Sequence, residues 1–376
     1  MNQANLPILG YMMNKNKEIF EDLFVLEIAN NHWGSMQRGF KLVEEFGKVV
    51  RQNNVKAAIK LQIRDVDNFV HKDFQTRKDI RYTSKTLATK MTKAQHAKMV
   101  KQIKKLGCIP MATAFDETSV DWAVEIGCEI LKVASSDIND WFLLQKLAKA
   151  GKPVIVSTGG ASLKSIDDMV KFFTSRNVPL AINHCVSNYP SEDCELEMNE
   201  IDFLIKRYPE LVIGHSTHEY HDWHSSMLIS YAKGARMWER HVDIPYPDDS
   251  EKSVSKYCSL PHQIDEYFTA FHKAKEMCGG SENKRRVVEK REIEYLDKLM
   301  RGIYLKENIE LGTELKIEDV YLAVPLQKGQ LSSREFMEGF KLRSSIKKDG
   351  PLLASDIDSD YYQNKKVQER FLKRGL

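Results

Sequence analysis

Lysine, glutamate and histidine occur in this chain where charge is costly, at the ends of short apolar runs. Lys60 and Gln62 close AAIKLQ (57–62) and, two residues apart, share one side of a strand. Lys132 and Ser135 close ILKVAS (130–135), and Glu27 closes LFVLE (23–27) ahead of Asn30, Asn31 and His32. IPMAT (109–113) ends at Thr113 with Phe115 two beyond, and PVIVST (153–158) ends at Ser157 and Thr158. LAINHC (180–185) brings His184, then Ser187 and Tyr189; LVIGHS (211–216) leads to His215 and His218; ARMWERH (235–241) carries Glu239 and His241. An unpaired buried ion costs several kcal/mol or more, so charges here need partners or ligands. Two strand lysines with three hydroxyls at one mouth suit a phosphate. His218 and His241, one structural unit apart, predict imidazoles on adjacent strand ends, a pair able to hold a divalent metal with positions open to water and a substrate oxygen. Singly, each residue has a plainer explanation: an edge lysine, a helix-capping hydroxyl, a satisfied core histidine. His215, His218, His221 and His224 recur every third residue, and the last two are expected in a loop or at a helix start.

The elements that must position these residues follow from the same text. The eight runs are continuous and apolar, as buried parallel strands are. Amphipathic stretches such as SVDWAVEIG (119–127) and WFLLQKLAKAG (141–151) lie between them and close on Gly, the preferred helix stop. Eight β-then-α units predict an α/β fold, a closed (β/α)8 TIM barrel. An open doubly wound sheet competes, but no run leads into a Gly-rich dinucleotide loop. Residues 63–94 are polar and aperiodic, a long loop and a candidate lid. The organisation expected is a catalytic barrel over 1–280, a charged linker over 281–297, a small β-rich domain over 298–360 and a basic tail over 361–376. The small domain repeats a phrase, NIELGTELKIEDV and SIKKDGPLLASDI, which suggests pseudo-symmetry. With 56 Lys and Arg against 53 Asp and Glu, the net charge of +3 gives no strong field for nucleic acid or membrane. The start has no basic leader or long apolar stretch and no run approaches a membrane span, so a cytoplasmic protein is expected. Six scattered cysteines without a CxxC pair argue against a disulfide framework or structural zinc site.

In this order and at these strand ends, the motifs resemble those of the sialic acid synthase family, the N-acetylneuraminate-type synthases that join phosphoenolpyruvate to an N-acyl amino sugar. Glu27-Ile-Ala-Asn-Asn-His-Trp-Gly34 is similar to the family's E-I-G-N-N-H-N-G, Lys60-Leu-Gln62 to K-F-Q and Thr113-Ala-Phe115 to T-P-F. Lys132-Val-Ala-Ser135 is similar to K-I-G-S, Ser157-Thr158-Gly159 matches S-T-G, and His184-Cys185-Val-Ser187-Asn-Tyr189-Pro190 resembles H-C-T-S-x-Y-P. His218 falls on the histidine of D-H-T and His241 on that of E-K-H; Arg301-Gly-Ile-Tyr resembles the R-S-L/I motif of the family's antifreeze-like (SAF) domain.

The resemblance implies a nonulosonic acid synthase for surface glycan biosynthesis. Lys60, Thr113, Lys132, Ser135, Ser157 and Ser187 would hold phosphoenolpyruvate, and Glu27 would activate or orient water. Gln62, Tyr189 and Arg301, with Phe115 and Asp137 among the substrate-binding positions, would serve the sugar. His218 and His241 would bind Mn2+, or Mg2+ or Co2+. A domain-swapped homodimer, with Arg301 presented to the neighbouring barrel, is implied as well. Three segments depart from the family. Its S-G-E reads Ser135-Ser136-Asp137, D-H-T reads Thr217-His218-Glu219, and an ungapped match of P-D-x-x-x-S-L puts Ser255 where an Asp is expected, with Asp248 or Asp249 as substitutes. The phosphoenolpyruvate half is thus retained and the sugar half altered. A related phosphoenolpyruvate–aldose synthase with a different acceptor and a non-catalytic sugar-binding homologue are the alternatives.

Overall fold

The computed structural model describes residues 16–247, 250, 252–279 and 284–376. Eight parallel strands close into a barrel in chain order. They are β1 (Leu23–Ala29), β2 (Lys56–Ile63), β3 (Ile109–Ala114), β4 (Ile130–Val133), β5 (Val154–Ser157), β6 (Leu180–Cys185), β7 (Val212–Thr217) and β8 (Met237–His241). Their side chains alternate between two cores. Leu23, Val25, Ala58, Met111, Ile130, Ile155, Ala181, Val212 and Met237 fill the floor of the barrel interior with Phe20. Phe24, Leu26, Ile59, Leu131, Val156, Ile182, Ile213 and Trp238 face the surrounding helices. Helix starts are fixed by side chains that accept the free N–H groups: Ser35, Thr92, Asp116, Asp140, Ser162 and Asp222. The seventh strand needs a glycine. A Cβ at Gly214 would overlap Asn183 Oδ1 and crowd the carbonyl of Met237, so only hydrogen leaves room for that amide inside the barrel.

Residues 63–94 are more ordered than their composition predicts. They form helices Val66–Phe69 and Arg81–Ala88 and a 3-10 turn Lys72–Phe74, held inward by buried Val66, Val70, Thr86, Thr89 and Met91. The buried positions are spread over short pieces, so no single period marks them.

The chain divides into two compact units, Met1–Gly279 and Gly280–Leu376. In the second, β9 (Gly302–Leu305) pairs antiparallel with β10 (Val320–Ala323), and β11 (Lys341–Leu342) with β12 (Ile357–Asp358). The repeated phrase is structural: Ile309 and Ile346 exchange backbone hydrogen bonds at 2.9 Å in both directions. Leu315 and Leu352 are both fully buried. Asp319 and Asp356 each accept from the backbone N–H three residues earlier, at 2.8 and 3.0 Å. The expected linker and tail both contain helices. Helix Lys290–Asp297 buries none of its residues. Helix Lys365–Leu372 in the basic tail buries Phe371 in the core of this unit. No helix among the described residues is long and apolar enough to cross a membrane.

Candidate active site

Above the apolar floor the barrel interior turns ionic. Lys60 Nζ lies 2.6 Å from Glu27 Oε2 and 2.7 Å from Glu239 Oε1, and Lys132 Nζ lies 2.7 Å from Glu239 Oε2. All four side chains are buried. The strand register produces the cluster, for Glu27 pairs with Lys60 on one side and His241 on the other. Burial alone would depress the Lys60 ammonium, but Glu239 and Glu27 outweigh it and hold the amine above its ordinary value. Lys132 goes the other way, lowered first by burial, with Lys60 repelling it and Glu239, followed by Cys185, offsetting in part. Burial works to raise the Glu239 carboxyl, and the two lysines overcome it and keep it ionised. Two ammonium groups and two carboxylates cancel. At Glu27 the strand shifts register, Ala29 adopts φ +50°, and its N–H donates to Glu27 Oε1 at 2.5 Å.

One rung outward stand the two imidazoles, with ring centroids 5.4 Å apart. His218 Nδ1 lies 2.8 Å from the carbonyl of Val186 and donates to it, which leaves Nε2 as a lone-pair donor. His241 Nδ1 is buried with no partner among the described residues. Burial lowers His218 to about 4 and His241 well below its ordinary value, so both rings are neutral, the form that ligates metals. Tyr189 covers His218 at 3.9 Å, and Tyr257 stands edge-on to His241 at 5.3 Å. The hydroxyl cradle lies beside Lys132. Ser157 Oγ is buried without a partner among the described residues, Ser135 Oγ accepts from Gly159 N at 3.1 Å, and a Cβ at Gly159 would overlap Ser187 Oγ. Thr113 pairs with both Gln62 and Lys132 in the strand register. Phe115 and Asp137 follow the ends of β3 and β4, and burial raises the Asp137 carboxyl.

The NeuB family model matches residues 52–283, more than half the chain. The chain belongs to the NeuB family. It is similar to N-acetylneuraminate-9-phosphate synthase of Drosophila melanogaster, 27% identical with 89% of this chain and 95% of that protein covered. It is also similar to N,N'-diacetyllegionaminic acid synthase of Legionella pneumophila, 24% identical over 80% of this chain and 85% of that one. Among solved structures, a protein assigned to spore coat polysaccharide biosynthesis, protein E of Chromobacterium violaceum, superposes with TM-score 0.82 at 33% identity, covering 90% of this chain and all of that one.

Not every strand-end residue of this NeuB-family chain faces the barrel interior. His184 and His215 alternate outward, stack on each other at 5.7 Å and sit behind the barrel wall, with His184 Nε2 2.7 Å from the carbonyl of Leu196. His221 and His224 are exposed. Arg301 is exposed and immediately precedes β9 in the second unit. Asp248 and Asp249 lie outside the described residues. Glu239 and Asn183 carry more than sequence reasoning assigned them. Glu239 binds both lysines, and Asn183 Nδ2 donates to it at 3.4 Å. The signal was present for Glu239, two residues before His241 and so on the same face.

The residues that follow His218 and precede His241 complement one another. Glu219 and Arg240 form a buried pair, Arg240 Nη1 to Glu219 Oε1 at 2.8 Å, with Arg240 Nη2 on the Glu219 carbonyl at 2.8 Å. Ser226 donates to the same carboxylate, and Arg240 Nε lies 2.5 Å from Ser259 Oγ. The pair ties the loop after β7 to β8 directly behind His218 and His241.

Proposed function

We propose that this NeuB-family chain condenses phosphoenolpyruvate with the open-chain form of an N-acyl amino sugar, giving a nonulosonic (sialic-acid-type) acid and phosphate for surface glycan biosynthesis in the cytoplasm. The observation that carries the reading is the buried Glu27–Lys60–Glu239–Lys132 cluster, set between a hydroxyl cradle and two neutral imidazoles. Lys132 with the hydroxyls of Ser135, Ser157 and Ser187 binds the phosphate, and Lys60 with Thr113 binds the carboxylate. C3 of the enol forms a bond to the aldehyde carbon, whose carbonyl π pair moves onto its oxygen and is protonated to a hydroxyl; positive charge develops at C2, and water adds there. Glu27, oriented by Lys60 and the Ala29 N–H, takes the proton of that water and stabilises the charge. The C2–oxygen bond to the phosphoryl group then breaks, and phosphate leaves. His218 and His241 fit a divalent ion such as Mn2+, Mg2+ or Co2+, because one ring is already fixed by Val186 and the other has an orphaned buried nitrogen. Such an ion supplies Lewis-acid polarisation of the aldehyde oxygen. Gln62, Phe115, Asp137 and Tyr189 line the sugar's side. The second unit is taken as an antifreeze-like (SAF) domain, with Arg301 serving the partner barrel of a homodimer.

Phosphate release from phosphoenolpyruvate, measured against a panel of N-acyl hexosamines and their phosphates with Mn2+ present, tests the reaction. Turnover with at least one hexosamine, abolished by EDTA and restored by Mn2+, is expected. Release with none of the panel would refute it.

A further inference from the structure

We propose that Arg64 is a specificity-determining residue, and that the acceptor it selects carries an anionic substituent, a phosphate ester or a carboxylate, away from its aldehyde carbon. The inference rests on the condensing reading above and deepens it by naming the class of acceptor.

Four Lys or Arg side chains are buried among the described residues: Lys60, Arg64, Lys132 and Arg240. Three of them rest on carboxylates. Arg64, only 6% exposed, makes no ion pair among the described residues. Its Nη2 donates to Gln62 Oε1 at 3.1 Å and to the Tyr82 hydroxyl at 2.9 Å, its guanidinium lies 3.6 Å over the Phe115 ring, and its Nε has no acceptor among the described residues. None of these partners is charged. A guanidinium held this way has paid most of its desolvation without a counter-charge, and an arriving oxyanion supplies one.

Two further cations stand near it. Helix Arg81–Ala88 brings Arg81 and Lys85, neither ion-paired among the described residues. The Lys85 amine is lowered first by burial; Arg81 and Arg64 add to that, each behind a larger opposing pull, from Cys258 and Asp243 respectively. Asp137 feels Arg64, but its carboxyl is raised chiefly by burial and is not within ion-pair distance of it. The anion belongs to the acceptor rather than to phosphoenolpyruvate because Arg64 touches Gln62 and Phe115, on the sugar's side, and neither lysine nor any hydroxyl of the cradle. Stacking on Phe115 fixes the guanidinium plane, and a fixed fork suits the oxygens of a phosphate or carboxylate.

The test is calorimetric binding to the full-length protein of three probes: N-acetylmannosamine, its 6-phosphate, and an N-acetylhexosaminuronic acid. The expected result is at least tenfold tighter binding of one anionic probe than of the neutral sugar. The probe preferred says whether phosphate or carboxylate is read. Arg64→Gln should remove most of that preference and leave phosphoenolpyruvate affinity within about twofold, while Arg64→Lys should retain part of it. A purely structural clamp on Tyr82 would weaken all three probes alike. Equal or better binding of the neutral sugar by the wild-type protein overturns the proposal without any variant, and so does an Arg64→Gln loss confined to phosphoenolpyruvate. Phosphate release is scored separately. Arg64-dependent binding of an anionic probe without release would sink the condensing reading and leave the anion site standing.

Discussion

Glu239 holds two ammonium groups apart inside the barrel, and the effect of removing it differs from that of removing Glu27. In Glu239→Gln, Lys132 loses its carboxylate and Lys60 keeps only Glu27, so a loss of about 3–5 kcal/mol is expected. A denaturant midpoint measures it; an unchanged midpoint would mean that water reaches the cluster. In Glu27→Gln, Lys60 retains Glu239, so folding and metal content should survive while phosphate release falls at least about a hundredfold. Near-normal turnover would remove Glu27 from the mechanism. The two variants thus separate a residue that holds the site from one that acts in it.

At the level of elements, the cradle hangs on one backbone position. A Cβ at Gly159 overlaps Ser187 Oγ and comes 2.9 Å from Ser135 Oγ, so Gly159→Ala should push both hydroxyls off the phosphate. The KM for phosphoenolpyruvate should rise about tenfold or more with little change in thermal stability, and an unchanged KM would clear the cradle of that role. How much of this was visible in the chain depends on range. Each strand run overlaps an observed strand because a buried parallel strand is written in consecutive apolar residues; β8 starts at Met237 rather than 235, with Ala235 and Arg236 irregular between the turn at Lys233 and Gly234 and the strand. The inward face of each strand was legible from alternation, which separates His218 from His215. The pairing of charges was not. Lys132 and Glu239 are 107 residues apart, and only barrel closure brings them together. Likewise, no local pattern could reveal that Arg64 has no carboxylate partner among the described residues.

The whole molecule carries an acid liability. His32 is lowered to about 3 and His96 to about 4, both chiefly by burial, while an unfolded chain protonates them near 6.5. The unfolded state therefore binds more protons between those values, and stability falls as pH drops through that window. His184, His215, His218 and His241 are lowered as well. Urea midpoints from pH 7 to 4 should fall steeply, and His96→Gln should flatten the slope by about 1.4 kcal/mol per pH unit; an unaltered slope would show that this ring titrates normally. Oligomeric function has its own test. If Arg301 serves a partner barrel, inactive Arg301→Ala and Glu27→Gln subunits should recover activity when mixed, and verified heterodimers without recovery would confine Arg301 to its own chain. Closing eight strands into a ring also couples positions that never meet in sequence. Since any side chain at Gly214 would evict the Asn183 amide, the two can drift only in concert, and a descendant that enlarges residue 214 must already have surrendered the amide.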